Sequence, residues 1–543
     1  MKKLYFLALS VLASASLMAA QVKVTAGTAG SELQAAVDGA TSGDTVLVQA
    51  GTYEGNFTMK DGVYVSGGWN EDFTAQTEHA SILDAKQSGR VLNQPADFTT
   101  LTIWDNFTIQ NGKLKAIAAD KLGAGVALMK KGRVINCLVQ NNTFDYSGNC
   151  MGGGIGQETG DKNDTCAINC VVRYNTATHG GGVRIRGVIL NSTIEYNESS
   201  NNGGGLYLQA GSAYNCIITN NVSLSGGGGV DMYGTGSLVN CLVANNTAGN
   251  VGGLSMRSNN RETADSGSDI INCTIVNNTQ KNTNNPQFCG VRLDVRNNPN
   301  RAFVNNVVYG NTINGEVQAQ ELGGYPQGYG KFLNNAVAGT TANVTYIQLD
   351  AENAPQFNEN YSFAWTSPLY NTGSNDALAY FVGDKDVYGN ARKQGANIEI
   401  GAVEHTEYAA TVAAIENGTI TLNFLNQQLE LAAGEYTLPE GFTATVVATP
   451  AEGYVLDNIT VDHVALEAVE GVYTLPAVKS DFVLAATFVK QSTPTGVENT
   501  TNAAQVIAIY DMLGRQVYNQ VNDLATGMYI VVTSEGTHKI SIK

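Results

Sequence analysis

The chain of 543 residues contains little charge, and the charge that it has is mostly of one sign. Charged residues make up 15% of the sequence, and 48 Asp and Glu face 31 Lys and Arg, for a formal net charge of -17. A polyanionic partner such as nucleic acid is therefore disfavoured by electrostatic repulsion. In the repetitive part of the chain, apolar residues do not recur at the helical period over helix-length stretches, which argues against a helical solenoid.

Long hydrophobic runs are also missing after the first twenty residues. Residues 1–20 carry two lysines, an apolar run from Leu4 to Leu12 and a small-residue end, which is the pattern of a cleaved export signal. No later segment approaches the roughly 18 apolar residues that a membrane-spanning helix needs. We therefore expect an exported protein that is soluble until something else anchors it.

The chain has instead many glycines and a repeat rich in asparagine. Between Val134 and Thr312 a short motif with two asparagines returns around the anchor positions Cys137, Cys170, Ser192, Cys216, Cys241, Cys273 and Asn306. The anchors are 33, 22, 24, 25, 32 and 33 residues apart, and a glycine cluster followed by an alternating strand pattern accompanies each unit. Repeats of this period with short β-branched runs indicate a solenoid of strands. We predict an all-β protein with a parallel β-helix.

Equivalent positions of successive coils stack about 4.8 Å apart, so each repeat position predicts a file of side chains. Two asparagine files are expected to bond inside the solenoid. They are Asn136, Asn169, Asn191, Asn215, Asn240, Asn272 and Asn305, and Asn142, Asn175, Asn197, Asn221, Asn246, Asn278 and Asn311. The five ladder cysteines are interpreted as small buried hydrophobic residues. A disulfide between Cys150 and Cys166, which would close the first long loop, is left open.

The start of the chain predicts a cap for the solenoid. Ser31 and Gln34 form a capping-box pattern for a short helix with Leu33, Ala36 and Val37 on its apolar face, and such a helix would cover the first coil. The runs GDTVLVQAGTY and GVYVSGGW, which follow, resemble the amino-terminal start of the pectate-lyase-like right-handed β-helix superfamily.

Two later patterns resemble bacterial surface proteins. The NT-x-GGG-V units resemble the repeats of polymorphic outer-membrane proteins, and Asp386 to Glu404 is similar to the closing motif of choice-of-anchor Q proteins. Together the resemblances imply a right-handed single-stranded parallel β-helix over residues 21–407.

The composition changes after the β-helix. Residues 408–490 predict a small β-sandwich, and they resemble the InlB B-repeat-like spacer modules of surface proteins. Residues 491–502 read as a flexible linker. Residues 503–543 resemble the type A carboxyl-terminal sorting domain of type IX secretion, on marks at Asp511, Gly514, Arg515, Gly527, Tyr529 and Lys543. This resemblance implies the type IX secretion machinery as a partner, passage across the outer membrane, and attachment to surface lipopolysaccharide or release.

The strand after each glycine cluster offers the surface for function. With the aliphatic residue of each strand inward, the outward files are Arg184, Tyr207, Asp231, Ser255 and Arg292, and then Arg186, Gln209, Tyr233, Arg257 and Asp294. Guanidinium groups hold carboxylates and tyrosine rings cover sugar faces, so all of these except Ser255 are candidate glycan-binding residues. The alternative is an ordinary solvated face.

Two enzymatic alternatives use the same face. A polysaccharide lyase would need Ca²⁺ held by carboxylates and an Arg base, for which Arg184, Arg186 and Arg257 are weak candidates, with Asp231 as a carboxylate. A glycoside hydrolase would need two paired carboxylates. His179 is interpreted as a turn residue, and Asp161, Asn163 and Asp164 as a polar loop or a Ca²⁺ site.

We therefore predict a monomeric cell-surface or secreted β-helix protein. It is expected to bind a host or dietary glycan, or another surface macromolecule, through its sheet face, in the manner of an adhesin and without a cofactor. A polysaccharide lyase or glycoside hydrolase of the pectate-lyase-like superfamily is the first alternative, with Ca²⁺ as the cofactor of a lyase. A structural stalk is the second alternative.

Overall fold

A computed structural model describes residues 19–115, 121–145, 148–160, 164–257, 267–282, 288–294, 296–318, 320–339, 344–425, 427–491, 505–517, 521–534 and 536–542. Over these residues the chain is an all-β protein with four long, mainly parallel sheets, which confirms the predicted β-helix. A full coil has four short strands, a number that the repeat itself does not reveal. The described residues contain no helix that is long and apolar enough to cross a membrane.

We number the four sheets in the order in which a coil visits them. Sheet 1 contains Gln21–Val24, Thr45–Gln49, Tyr64–Trp69, Thr102–Asp105, Gly132–Ile135, Thr165–Ile168, Val188–Leu190, Ser212–Tyr214, Gly236–Val239, Ser268–Ile271, Asn298–Val304 and Tyr329–Leu333. Sheet 2 contains Gly51–Glu54, Ser81–Asp84, Phe107–Gln110, Leu138–Gln140, Val171–Arg173, Thr193–Glu195, Ile217–Thr219, Leu242–Ala244, Thr274–Val276, Val307–Tyr309, Ala336–Ala338 and Ile347–Leu349.

Sheets 3 and 4 complete the coil. Sheet 3 contains Lys113–Leu114, Thr143–Phe144, Thr176–His179, Glu198–Asn202, Val222–Ser223, Thr247–Ala248, Thr279–Gln280, Thr312–Ile313 and, antiparallel to the rest, Glu316–Val317. Sheet 4 contains Phe57–Thr58, Leu92–Asn93, Val126–Leu128, Ile155–Gln157, Val183–Ile185, Leu206–Gln209, Val230–Tyr233, Leu254–Arg257, Val291–Asp294 and Leu322–Gly324.

One predicted asparagine file lies inside the solenoid. Asn142, Asn175, Asn197, Asn221, Asn246, Asn278 and Asn311 are all buried. Each side-chain amide donates to the next coil, as Nδ2 of Asn175 does to Oδ1 of Asn197 at 3.0 Å. The last member, Asn311, donates to the carboxylate of Glu321 at 2.8 Å. The file therefore satisfies its own polar groups in the core.

The other asparagine file bonds from coil to coil as predicted, as Nδ2 of Asn240 does to Oδ1 of Asn215 at 2.7 Å, but the prediction that it lies inside the solenoid is wrong. Its members have φ between 48° and 55°, a left-handed conformation that asparagine adopts more easily than most residues, at the turn from sheet 1 to sheet 2. Asn169 and Asn191 are exposed, whereas Asn240, Asn272 and Asn305 are buried. The buried members bond to a later part of the chain, as Asn272 does to the carbonyls of Glu399 and Gly401.

All eight cysteines are free and buried, and the five ladder cysteines belong to the main core as predicted. The candidate disulfide does not form. Cys166 lies in the main core, whereas Cys150 packs with Phe144 and Ala177 in a separate cluster outside it. The two cysteines thus belong to different buried clusters.

The amino-terminal helix spans Gly30–Gly39 and buries Leu33 and Val37, as predicted. Its predicted capping box is wrong, because the residue at the cap is Ala29 and no side chain caps the helix. The helix begins two residues earlier than the pattern suggested, so Ser31 lies within the first turn. The Gln34 side chain instead donates to Asp38 and Thr58.

Residues 350–404, which we call the cover segment, pack on the outside of the β-helix. Leu369 and Ile400 are fully buried against Leu242 and Val307 of sheet 2. Two short 3-10 helices occur in this part of the chain, Pro326–Gly328 before the cover segment and Asn375–Tyr380 within it.

The closing-motif stretch ends the cover segment with a buried ion pair. Arg392 and Glu404 lie 3.1 Å apart with both side chains 1% exposed. Arg392 also donates to the carbonyl of Gly401 at 2.6 Å.

The later strands are Glu407–Val412, Gly418–Phe424, Gln427–Leu431, Gly434–Pro439, Ala444–Pro450, Tyr454–Val461, Val464–Ala465, Tyr473–Leu475 and Phe482–Lys490. The chain divides into two compact units: the first runs to Val412 and includes Gly434–Thr445 and Thr474–Val483, and the second contains the remainder. In the first unit Glu407–Val412 pairs antiparallel with Gly434–Pro439. In the second, Gly418–Phe424 pairs antiparallel with Gln427–Leu431.

The end of the second unit is a four-stranded antiparallel sheet. Its strands are Gln516–Val517, Val506–Asp511, Gly527–Thr533 and Gly536–Ile542, in that spatial order, and a 3-10 helix spans Val521–Asp523. Asp511 accepts from Nε of Arg515 at 2.7 Å across a turn in which Gly514 has φ of 77°. The hydroxyl of Tyr529 donates to the carbonyl of Ala525. Lys543, the export signal up to residue 18 and most of the linker lie outside the described residues.

Candidate functional site

Sheet 4 brings the candidate residues together in register. Along the first file Arg184 pairs with Tyr207, Tyr207 with Asp231, Asp231 with Ser255, and Ser255 with Arg292. The second file stacks Gln209, Tyr233, Arg257 and Asp294 in the same way. The expected open face is not found, however, because Arg184, Tyr207 and Asp231 are only 1%, 8% and 0% exposed. Long side chains lie over one another across the coils and bury the first file except for Arg292, whose side chain is 36% exposed.

Arg184 is held from three sides. Its Nη1 donates to the backbone carbonyl of Gln157 and to Oε2 of Glu158, the latter at 3.1 Å, and its Nη2 donates to Oε1 of Gln209. Burial lowers the pKa of the guanidinium, and the charge of Arg186 adds to that effect against the charge of Glu158. The side chain is therefore a fixed, desolvated positive charge.

Arg186 lies beside Arg184 on the same face, and it is the cation of the cluster that remains open. Its backbone N–H donates to Oε1 of Gln157 at 3.3 Å. Its Nε is buried without a hydrogen-bond partner, and the guanidinium makes no hydrogen bond or ion pair to any residue that the structure describes. Two neighbouring guanidinium groups repel each other, so a site with one of them unpaired favours an anion.

Asp231 and Arg257 form the other half of the cluster. Arg257 donates to Oδ1 of Asp231 from Nη2 at 2.7 Å and from Nε at 3.2 Å. Burial raises the pKa of Asp231 despite this partner. Burial acts to lower the pKa of Arg257, but the charge and hydrogen bond of Asp231, together with Tyr207 and Tyr233, outweigh it and the pKa of Arg257 is raised. The guanidinium lies 6.0 Å from the ring centre of Tyr233.

Two further residues stand between these charges. The ring of His179, which ends the sheet 3 strand Thr176–His179, lies 5.5 Å from the ring of Tyr207 at 31°. Nδ1 of His179 is 3.0 Å from Nδ2 of Asn202. Burial, with the charges of Arg257 and Arg184, lowers the pKa of His179, and burial raises the pKa of Tyr207. From the sequence, His179 is interpreted as a turn residue, whereas it ends a strand beside the cluster. His179 has the same repeat position as Asn202 in the next coil, directly before a glycine cluster, and this position could have indicated its place.

The cluster carries more positive than negative charge. Its arginines are Arg184, Arg186, Arg257 and Arg292, and its carboxylates are Glu158, Asp231 and Asp294. This local excess occurs on a chain whose formal net charge is -17. The cluster therefore attracts a negatively charged ligand, although the chain as a whole is negatively charged.

The carboxylates of the cluster do not fit a Ca²⁺ site. Asp231 is paired with Arg257, and Oδ2 of Asp294 accepts from Arg292 at 3.0 Å. Among the described residues, no group of three or more His, Cys, Asp or Glu side chains could hold a metal ion. Of the loop residues considered for Ca²⁺, Asp161 and Asn163 lie outside the described residues, and Asp164 accepts weakly from Gln157.

Comparisons with known proteins return distant structural likenesses. No protein-family model matches the chain, and no curated protein matches it in sequence. Pectate lyase Pel9A is similar at 14% identity and a TM-score of 0.35, over 72% of this chain and 98% of that one. The tailspike protein gp49 from Acinetobacter baumannii bacteriophage Fri1, a capsular polysaccharide depolymerase, is similar at 11% identity and a TM-score of 0.32, over 87% of this chain and 83% of that one.

A third similar structure is the A-module of the Azotobacter vinelandii mannuronan C-5 epimerase AlgE4, at 14% identity and a TM-score of 0.30. It covers 59% of this chain and 92% of that one. At these identities and scores the likenesses carry no argument about this chain.

Proposed function

We propose that the protein binds an acidic polysaccharide at the sheet 4 cluster. The observation that carries the proposal is the pair Arg184 and Arg186, in which one guanidinium is fixed by three acceptors and its neighbour has no partner among the described residues. A uronate carboxylate would match the unpaired fork of Arg186 and relieve the repulsion between the two cations.

The aromatic groups of the cluster suit the same ligand. Tyr207 lies between Arg184 and Arg257 and presents a phenol whose raised pKa keeps it protonated, so its hydroxyl can donate. With Nδ1 of His179 accepting from the Asn202 amide, the neutral imidazole carries its proton on Nε2 and is a second donor. Donors and cations together recognise carboxylate and hydroxyl oxygens, the polar groups of an acidic sugar.

The enzymatic alternative is β-elimination. A base would take the proton on the carbon next to the uronate carboxylate, the bond to the leaving oxygen would break with its electron pair, and Tyr207 would protonate that oxygen. When the Asn202 amide donates to Nδ1 of His179, His179 and Tyr207 are both donors, and the guanidinium of Arg184, though lowered in pKa, is fixed by its acceptors. The cluster thus offers an acid without a base. If the Asn202 amide were rotated by half a turn, its oxygen would accept a hydrogen bond from Nδ1 of His179. Nε2 of His179 would then be unprotonated and could act as the base.

We also propose that the protein acts outside the cell that makes it. The export-signal pattern of residues 1–20 and the resemblance of residues 503–543 to a type IX sorting domain support this, with the closing-motif resemblance of Asp386 to Glu404. On this proposal residues 408–490 are a spacer, the sorting domain is removed by the secretion machinery, and the β-helix is left attached to the surface or released. Export of a reporter fused to residues 503–543, and its loss with Arg515→Ala, would test the sorting role.

The binding proposal is tested with the mature protein from residue 21 onward on polygalacturonate, alginate and neutral dextran. We expect retardation in gels that contain either acidic polymer, no retardation in dextran, and weakening by salt, because the contact is electrostatic. The polymers are recovered and their fragments weighed by mass spectrometry. Unsaturated fragments would establish the lyase instead, hydrated ones a hydrolase. Passage through every gel without retardation or cleavage would leave the structural stalk.

A further inference from the structure

On a second surface of the β-helix, two tyrosines occupy a repeat position at which most other coils have asparagine. The turn from sheet 2 to sheet 3 places one residue per coil in the left-handed conformation. Along the solenoid this file is Asn111, Asn141, Tyr174, Tyr196, Asn220, Asn245, Asn277 and Gly310, with φ between 52° and 70°. Asparagine and glycine adopt this conformation most easily, whereas an aromatic residue there is an outlier. The two tyrosines therefore adopt a conformation that costs them more than it costs the asparagines and the glycine at the equivalent positions.

The two tyrosines form one exposed surface. Their ring centres are 5.4 Å apart with 19° between the ring planes, and the residues are 51% and 48% exposed. The backbones are linked by a hydrogen bond from N of Tyr174 to O of Tyr196 at 3.1 Å. The next position along the file is the smaller Asn220, so the outer face of the Tyr196 ring is not stacked against another ring.

Planar polar side chains line the sheet 2 side of this surface. The guanidinium of Arg173 lies 5.6 Å from the Tyr174 ring centre, and its Nε donates to Oε1 of Gln140 at 3.2 Å. Arg173 and Glu195 approach to 3.9 Å. Amide, guanidinium and carboxylate groups beside exposed aromatic rings are the set that recognises a sugar, since the rings meet its C–H face and the polar groups its hydroxyls.

Charge selects the class of sugar. Arg173 is balanced by Glu195, and Glu198, two residues beyond Tyr196, is exposed. The surface therefore has no excess of positive charge, unlike the sheet 4 cluster, and it disfavours a polyanion. We propose that Tyr174 and Tyr196 form a platform that binds a neutral polysaccharide. The platform goes beyond the function proposed above, because both its ligand and its face of the β-helix differ.

The platform and the sheet 4 cluster are close enough to contact the same polysaccharide layer. The chain leads from the Tyr174 turn to His179 through the strand Thr176–His179. At about 3.3 Å per residue, five residues span roughly 16 Å. A neutral and an acidic polymer could thus be held on adjacent faces of the same coils, which would strengthen attachment to a mixed polysaccharide layer through two contacts.

The test compares wild type with Tyr174→Asn/Tyr196→Asn, which installs the residue that most other coils carry. The probes are hydroxyethylcellulose, xylan and galactomannan in affinity gels, with polygalacturonate as the acidic reference. We expect wild type to be retarded by at least one neutral polymer and the variant to lose about tenfold or more in affinity, with polygalacturonate retention unchanged. The melting temperature should stay level or rise, because the left-handed strain is relieved.

Three companion variants keep the test decisive. Tyr174→Phe/Tyr196→Phe retains the rings and should retain most of the binding even if the asparagine variant folds poorly. Leu224→Asn removes a side chain that is 63% exposed outside the platform and should change nothing. Asn220→Tyr adds a third ring and should tighten binding.

The proposal has clear contrary outcomes. Wild type that runs freely in all three neutral gels overturns it, whatever happens with polygalacturonate. A double asparagine variant that binds as well as wild type also overturns it, and a lower melting temperature in that variant would mark the rings as packing. Wild type that is retarded by a neutral polymer but not by polygalacturonate would count against the sheet 4 proposal and leave the platform standing.

Discussion

The outward face of sheet 2 differs between its two halves. In the amino-terminal coils it is polar and open, with Gln110, Gln140, Arg173 and Glu195 in one file. In the carboxyl-terminal coils it is apolar and lies under the cover segment, with Leu242, Ala244, Val276 and Val307 buried. Both halves share one backbone geometry and one interior. The outward side chains therefore determine whether the outer face of the sheet stays exposed to solvent or packs in a second hydrophobic core.

The cover segment shows how the covered half is closed. Its apolar side chains pack on sheet 2, and its backbone carbonyls accept from the asparagine file at the preceding turn, as Lys385 does from Asn240 at 2.9 Å. Arg392 and Glu404 then fix the end of the segment. Because one half of sheet 2 is packed under the cover segment and the other is exposed, we expect changes in the covered half to reduce stability and changes in the open half to reduce binding.

The largest effect is expected at the buried ion pair of the cover segment. Arg392→Met leaves Glu404 without the charge that opposes the effect of burial on its pKa, which burial raises. We expect a loss of about 3–5 kcal/mol in the free energy of unfolding, measured by urea denaturation. Replacing both residues, as Arg392→Met with Glu404→Leu, should recover most of it. A single variant as stable as wild type would show that the ion pair does not hold the cover.

The apolar contact of the cover should follow in size. Leu369→Ala removes a fully buried side chain packed on sheet 2, and we expect a loss of about 2–4 kcal/mol by the same measurement. The matched control is Val382→Ala in the same segment, which is 44% exposed and should cost under about 0.5 kcal/mol. Equal losses in the two variants would contradict the packing described for this half.

The interior asparagine file predicts a pH dependence at its end. Burial raises the pKa of Glu321 to about 7, against the hydrogen bonds from Asn311 and Gly310 that favour its charged form. Between its ordinary pKa of 4.5 and about 7 the folded chain keeps a proton that the unfolded chain has lost. Stability should therefore fall as pH rises through this window, by roughly 3 kcal/mol at most.

The check on this dependence is urea denaturation at pH 5 and pH 8. Glu321→Gln should flatten the difference between the two, though Glu404 keeps part of it. Glu316→Gln, at an exposed position in the neighbouring strand Glu316–Val317, should leave the difference as in wild type. A slope that is unchanged by Glu321→Gln would assign the pH dependence elsewhere.

The smallest stability effect is expected at the open arginine. Arg186→Gln should change the free energy of unfolding by less than about 0.5 kcal/mol, since its guanidinium has no partner among the described residues. Arg184→Gln should cost about 1–3 kcal/mol, because it leaves the acceptors Glu158 and Gln209 unpaired. If the two variants lost equal stability, the distinction between a fixed and an open arginine would fail.

The repeat made the β-helix predictable, because its period, its glycine clusters and its short β-branched runs all agree. The interior positions followed from alternation alone: Val139, Cys137 and Asn142 lie where their spacing predicts. Each coil repeats the same local problem, so one correct coil sets the register of the rest.

The sequence could not show what covers each file. Whether Asn169 or Asn272 is exposed depends on a cover segment more than a hundred residues away. The sheet 4 files were placed correctly, but their burial comes from long side chains that fold over one another, as Arg184 does onto Gln209. Tyr174 and Tyr196 were missed, although two tyrosines in a column of asparagine and glycine were a visible signal.

The central claim is that an open arginine on sheet 4 takes the carboxylate of an acidic polysaccharide. Titration calorimetry of wild type and Arg186→Gln with polygalacturonate oligosaccharides tests it most directly, with Arg301→Gln on sheet 1 as the matched control. We predict that Arg186→Gln loses about tenfold or more in affinity at unchanged stability, since a charge-assisted hydrogen bond contributes roughly 1.5–3 kcal/mol, and that Arg301→Gln binds as wild type does. Equal affinity in all three proteins would contradict the account.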